Sequence, residues 1–156
     1  MILLWAIFIA FATLGLCVIV HYEALRLTSL LIPRLTISPR PKVLVAITIV
    51  FLAHLLEIIV FAIIYRLMQP FPQLGEIAGH FSQSAIDYFY FSITSFTTLG
   101  IGDLFPHGAY RIVVGVESLT GFVLIGWSVS FTYLVMQECW TQHISEAKLM
   151  AEINVQ

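Results

Sequence analysis

Thr97-Thr98-Leu99-Gly100-Ile101-Gly102-Asp103 is the stretch on which the reading of this chain turns. Two glycines stand at alternate positions, behind a pair of threonines and ahead of a carboxylate. Glycine takes positive φ at low steric cost, so Gly100 and Gly102 open backbone angles that other residues resist. Thr, Gly and Asp are also ordinary turn residues, and Gly-X-Gly-Asp alone reads as a turn between two helices. The flanks decide between these readings. Residues 85–97, just upstream, are apolar and aromatic but too few to cross a bilayer. Residues 110–137, downstream, are enough.

A bilayer core about 30 Å thick needs about 20 apolar residues at roughly 1.5 Å each. Residues 3–20 carry no charge and meet that length. Residues 43–68 are longer and are interrupted by His54, Glu57 and Arg66. Residues 110–137 form the third span, with Glu117 inside it. The short 85–97 segment suits a re-entrant helix.

Composition agrees. Of 156 residues, 60% are hydrophobic and 10% charged, where a soluble domain carries about 25% charge. With a mean hydropathy of +0.97, the chain reads as an all-α integral membrane protein. A net charge of -2 without a basic run offers nothing to nucleic acid. Cys17 and Cys139 cannot build a disulfide framework or a metal spacing by themselves. No nucleophile and base are spaced for catalysis, so an enzyme is not expected, and no internal repeat is present.

Orientation follows from the basic residues. Arg26, Arg34, Arg40 and Lys42 lie between the first two spans and are most of the 7 Lys and Arg in the chain, which predicts a cytoplasmic segment there. The N-terminus and residues 69–109 are then outside and the C-terminus is cytoplasmic. The outer stretch carries Glu76, Asp87 and Asp103 and no Lys or Arg. Trp5 and Trp140 are expected at opposite interfaces. Ala10-Phe11-Ala12 faintly resembles a signal-peptide cleavage site. Against cleavage, a basic n-region is missing and the apolar run continues to Val20.

With these flanks, the heptapeptide resembles the pore signature Thr-X-Gly-X-Gly-Asp of the potassium-channel superfamily. Five specified residues, Thr97 included, would match by chance at about one position in a million. The family's order of outer helix, pore helix, filter and inner helix is also present, from Val43 to about Gln137. The resemblance implies a minimal two-transmembrane pore with an additional N-terminal helix. Its parts are an N-terminal transmembrane helix at 1–21, a cytoplasmic basic loop at 22–42, a pore domain at 43–137 and a short cytoplasmic tail at 138–156. Within the pore domain, the outer helix is 43–68, the pore helix 85–97, the filter 98–103 and the inner helix 110–137.

The function implied is passive, selective conduction of K+. A potassium ion entering a filter loses water, and rings of backbone carbonyls from four chains replace it. By the resemblance, the carbonyls of Thr98, Leu99, Gly100 and Ile101 bind K+, the Thr98 hydroxyl forms the inner ring, and Gly102 completes the filter. One chain supplies a quarter of each ring, so a homotetramer in membrane lipid is implied, with K+ ions in the filter and no organic cofactor. A short single-pore subunit without targeting signals suggests a bacterial inner (plasma) membrane. The tail after Gln137 is short for a regulatory domain, although 145–149 can continue the inner helix. No helix carries Arg at every third position, so no voltage sensor is expected.

Three positions depart from the common family pattern. Ile101 replaces the usual aromatic residue between the glycines. Phe91 stands where well-known members have an indole that holds that aromatic, so an apolar pair is expected in place of a hydrogen bond. Thr94 occupies the place of a buried Glu. These changes bear on filter rigidity and leave a non-selective monovalent cation channel as the alternative. Tyr90 is placed for its hydroxyl to reach Asp103 and support the filter.

On the inner helix, Gly121 falls at the family's gating-hinge glycine, although glycines in membrane helices commonly serve close packing. Gly126 fits packing better. Phe122, Ile125, Val129 and Tyr133 share one stripe at 100° per residue, implied by the resemblance to line the cavity, with Tyr133 near the cytoplasmic mouth. Glu117 points roughly 140° from that stripe. It lies about 10 Å below the outer edge, while His54 and Glu57 lie about 17 Å and about 21 Å above the inner one. Glu117 is therefore expected to join His54 and Glu57 in a buried polar cluster, or to reach Thr94 and Ser95. Such a cluster could link pH to gating or serve as a polar clamp.

Overall fold

The structure, a computed structural model, describes the backbone of residues 1–153 and the side chains of residues 1–141. Helix α1 spans Ile2–Leu31, and a short 3-10 turn at Ile32–Arg34 leads to α2, Pro39–Met68. A 3-10 turn at Pro72–Leu74 and strand β1, Ile77–Gly79, precede helix α3, Ala85–Phe96. Strand β2, Leu104–Pro106, follows the filter stretch, and α4 runs through Tyr110–Ile153. Helices α1, α2 and α4 are each long and apolar enough to cross a membrane.

α3 has 12 residues, about 18 Å at 1.5 Å each, so it cannot span. It is wedged between α2 and α4, where Phe91, Ser92, Ser95 and Phe96 are buried. Its start is set by a capping box. The Asp87 amide donates to Ser84 Oγ at 3.1 Å and the Ser84 amide to Asp87 Oδ2 at 3.3 Å, which satisfies backbone groups that a helix start leaves free. Strands β1 and β2 pair antiparallel, Ile77 with Pro106 and Gly79 with Leu104, and staple the chain before α3 to the chain after the filter.

α1 buries Ala6, Ala10, Thr13, Cys17, His21, Leu25 and Thr28, spaced by three or four residues on one face. Small residues on this stripe let neighbouring backbones approach, while Leu4, Phe8, Phe11 and Ile19 are exposed on the other side of the helix. Ile2, Trp5 and Ile9 sit beside Leu67, Met68 and Phe71, so α1 and α2 form an antiparallel pair.

The basic stretch expected as a loop over 22–42 is mostly helical. α1 continues to Leu31 and α2 begins at Pro39, which leaves only a short connection that includes Arg34. The reason is that the buried stripe does not stop at the first polar residues: His21, Leu25 and Thr28 extend it, while Glu23 and Arg26 pair at 2.7 Å on the exposed side. Pro39 is placed where a helix start has no N–H to lose. Likewise α4 does not end at residue 137 but passes through 145–149 to Ile153, and Thr97 is the C-cap of α3 rather than its last turn.

Candidate functional site: a positive-φ ribbon beyond the pore helix

After Phe96 the backbone leaves the helix and turns outward. The Thr97 amide donates to Ile93 O at 3.1 Å, Thr98 to Ser95 O at 3.0 Å and Gly100 to Thr94 O at 3.1 Å. These bonds fasten the ribbon to the end of α3. Along it, φ is positive at Thr98 (59°), Gly100 (53°) and Gly102 (89°), and at neither Leu99 nor Ile101. Positive φ thus recurs at every second residue of the ribbon, from Thr98 to Gly102. Gly100 and Gly102 take these angles freely. Thr98 does not: the left-handed region costs a residue with a Cβ about 1–2 kcal/mol, and the flanking hydrogen bonds hold it there.

Leu99 and Ile101 are 66% and 58% exposed, so the ribbon has no wall of its own on one side. The α3 C-terminus lies at its base, and a helix C-terminus carries about half a negative charge, favourable to a cation.

The supports are distributed as follows. The Tyr90 hydroxyl donates to Asp103 Oδ1 at 3.1 Å, as expected from the sequence. The Thr94 hydroxyl turns back to the Tyr90 and Phe91 carbonyls at 3.0 Å each. Phe91 does not pair with Ile101 within the chain. Its ring is buried in the core, 5.2 Å from that of Tyr65, because the apolar face of α3 packs on α2. Asp87 accepts from the Ser82 hydroxyl at 2.5 Å and the Ser82 amide at 2.8 Å. The Ser82 hydroxyl first, with the nearby amides, holds its carboxyl below the usual carboxylate range.

On α4, Gly121 lies directly against the Phe96 carbonyl, where any Cβ would overlap it. Nearby, the Ser118 hydroxyl donates to Ser95 O at 3.0 Å. The inner helix thus presses on the last turn of α3, just before the filter, and it is unbroken there. Gly126 has open space around it. Phe122, Val129 and Tyr133 are exposed in the chain, whereas Ile125 is half-buried against the core.

The expected three-residue polar cluster divides into two. Glu117 meets neither His54 nor Glu57, nor Thr94 or Ser95. It accepts from the buried Tyr65 hydroxyl, and Ser92 Oγ lies 2.5 Å from Oε1. Depth counting put the acids at similar levels but could not say which helix faces meet, and packing gave Glu117 Tyr65 and Ser92 as partners. His54 Nδ1 and Glu57 Oε2 are 2.9 Å apart, and their companion is His21 of α1, with Nδ1 2.9 Å from Glu57 Oε1. Both rings reach Ser128 Oγ through Nε2, His54 at 2.9 Å and His21 at 3.2 Å. His21 was legible as the next member, four residues on, of the stripe through Cys17. Nothing in the sequence singled out Tyr65, Ser92 or Ser128.

Two membrane-length helices bracket a short helix that carries a ribbon of recurring positive φ at its tip, the arrangement of an integral membrane pore. A family profile described as "Ion channel" matches residues 42–138. The chain therefore belongs to this ion-channel family, within the potassium-channel superfamily. Among curated proteins it is similar to "Two-pore potassium channel 1" of Arabidopsis thaliana, 38% identical over 56 residues, which is 35% of this chain and 15% of that protein. The chain's match thus spans only a small part of that relative's length. No solved structure matches the chain.

Proposed function

We propose that four copies of this chain surround a central axis and conduct K+ passively and selectively through the 98–102 ribbon. The observation that carries this reading is the alternation of left-handed φ at Thr98, Gly100 and Gly102 in an exposed ribbon. Each chain contributes the carbonyls of Thr98, Leu99, Gly100 and Ile101, and the Thr98 hydroxyl, as one quarter of successive oxygen rings. A dehydrating K+ exchanges its water for these rings. Because the ions hold several similar sites, none traps them. The exposure of Leu99, Ile101, Phe122 and Val129 is what an assembled subunit interface and cavity wall would cover.

In this reading the end that carries Arg34, Arg40 and Lys42 faces the cytoplasm. The N-terminus lies outside, and Tyr133 narrows the inner mouth. A bacterial inner membrane fits a subunit of this kind.

A second reading, a non-selective monovalent cation channel, is favoured by one observation: Ile101 is exposed while Phe91 is turned into the core, so Phe91 does not brace Ile101 within the chain. Reconstitution in liposomes with measurement of K+, Na+ and Rb+ flux separates the two. Selective conduction predicts K+ and Rb+ flux well above Na+. Equal fluxes leave the second reading, and no flux from the purified chain removes both.

A further inference from the structure

Three helices place two imidazoles and a carboxylate together, outside the 98–102 ribbon. His21 and Glu57 are fully buried and the His54 side chain is 15% exposed. One donor atom from each of the three lies within 4.8 Å of the others. A carboxylate alone among apolar helices is costly, and such residues are retained where a partner or function holds them.

Hydrogen counting leaves two complete arrangements: one ring carries a hydrogen on both nitrogens and Ser128 accepts from it while donating to the other ring, or a cation takes the place of the Nδ1 hydrogens. If Glu57 is ionised and accepts from both Nδ1–H groups, each neutral ring turns a bare Nε2 toward Ser128. Ser128 has one hydroxyl hydrogen and can serve only one of them. If a cation takes the Nδ1 lone pairs instead, both rings carry their hydrogen on Nε2. Ser128 Oγ, with two lone pairs, then accepts from both, at 2.9 Å and 3.2 Å. A ring nitrogen held by an outer hydrogen bond while the other binds metal is the usual arrangement of histidine ligands.

We propose that His21 Nδ1, His54 Nδ1 and the Glu57 carboxylate bind one divalent transition-metal ion of the zinc class, with Ser128 as the positioning residue for both imidazoles. Two nitrogens and a carboxylate suit Zn2+ or Co2+ over the all-oxygen preference of Ca2+ or Mg2+. Donors on a tetrahedral ion of this size stand about 3.3 Å apart, given metal–nitrogen bonds of about 2.0 Å. The two 2.9 Å nitrogen–oxygen separations need only a small opening to admit it. In the single chain a groove of about 490 Å³ between α2 and α4, lined by His54, Ser128, Ile125 and Val129, reaches the cluster. The ion would join α1, which lies outside the matched family segment, to the outer helix and, through Ser128, to the inner one.

The test uses the full chain in detergent, stripped with a chelator, with His80, His107 and His143 replaced by Gln. Titration with Co2+ should give one equivalent per chain, the intense visible absorption of a four-coordinate ion, displacement by Zn2+ and a rise in Tm. His54→Gln and Glu57→Gln should each weaken Co2+ binding at least tenfold, and Ser128→Ala by about tenfold while retaining the band. No visible band at excess Co2+ in the folded, stripped chain would overturn the proposal without reliance on any ligand variant. So would equal binding by the double variant His21→Gln/His54→Gln. Either result leaves a hydrogen-bonded clamp between helices. Ion flux is not a readout, so this outcome is independent of the conduction reading.

Discussion

The Tyr90 hydroxyl donates to Asp103 Oδ1 at 3.1 Å, tying the middle of the pore helix to the residue that ends the filter. The bond spans the ribbon and limits how far Asp103 can swing. Tyr90→Phe removes the donor and keeps the ring. We expect shorter open-state lifetimes and faster loss of conduction at constant driving force in single-channel recordings. Unchanged lifetimes would mean that Tyr90 acts only as an interfacial aromatic.

Gly100→Ala and Gly102→Ala should abolish selective K+ flux while the protein still inserts and assembles. Their φ values of 53° and 89° lie where a Cβ costs about 1–2 kcal/mol in each chain. No neighbour within the chain crowds Gly100, so the penalty there is purely conformational. Liposome flux with detergent-solubilised oligomer size as the control checks this.

Gly121→Ala and Gly126→Ala should differ sharply. At Gly121 a Cβ meets the Phe96 carbonyl, so α4 must move off the pore helix. Overpacking of this kind costs typically 1–3 kcal/mol. Loss of conduction together with a lower Tm is expected. At Gly126 nothing stands in the way, and both should be near wild type. A Gly121→Ala protein of normal Tm with only a lowered open probability would point instead to a hinge at this position.

Glu117→Gln should be tolerated and Glu117→Leu should not. Ser92 Oγ lies within 2.8 Å of Ile58 O and 2.5 Å of Glu117 Oε1, and one hydroxyl hydrogen cannot serve both along separate lines. A Gln presents an amide N–H to Ser92 and its carbonyl to the Tyr65 hydroxyl, which keeps every contact. Leu strands the buried Tyr65 hydroxyl at a cost of about 1–3 kcal/mol. Thermal unfolding in detergent ranks the variants. If gating proves pH-independent both in the parent chain and in Glu117→Gln, the site is a clamp only.

The pore-helix cap should persist through mildly acidic conditions. Asp87 is held below its ordinary range by Ser82 and the neighbouring amides, so the folded state favours the ionised form. That contribution is complete above the unfolded carboxylate value near pH 4 and is lost as pH falls through the lower folded value. Asp87→Asn should flatten the acid side of the stability profile. Ser84→Ala should cost about 1 kcal/mol at any pH.

Sequence alone determined the membrane class, the three long apolar helices, the short re-entrant one and the glycine pattern of the filter. These depend on composition, length and backbone stereochemistry, each of which is local. The Tyr90–Asp103 bond was legible for a similar reason: both residues sit on one short helix-and-loop unit whose geometry the motif dictates. Tertiary structure decided what is distant along the chain. Depth counting placed Glu117, His54 and Glu57 at one level but could not say which helix faces meet. Packing sent Glu117 to Tyr65 and Ser92, and brought His21 from α1 onto Glu57. It also turned Phe91 inward, away from Ile101, and pressed Gly121 against Phe96. Rotation of a helix about its axis costs little until side chains interlock, so only the packed structure could choose among these pairings.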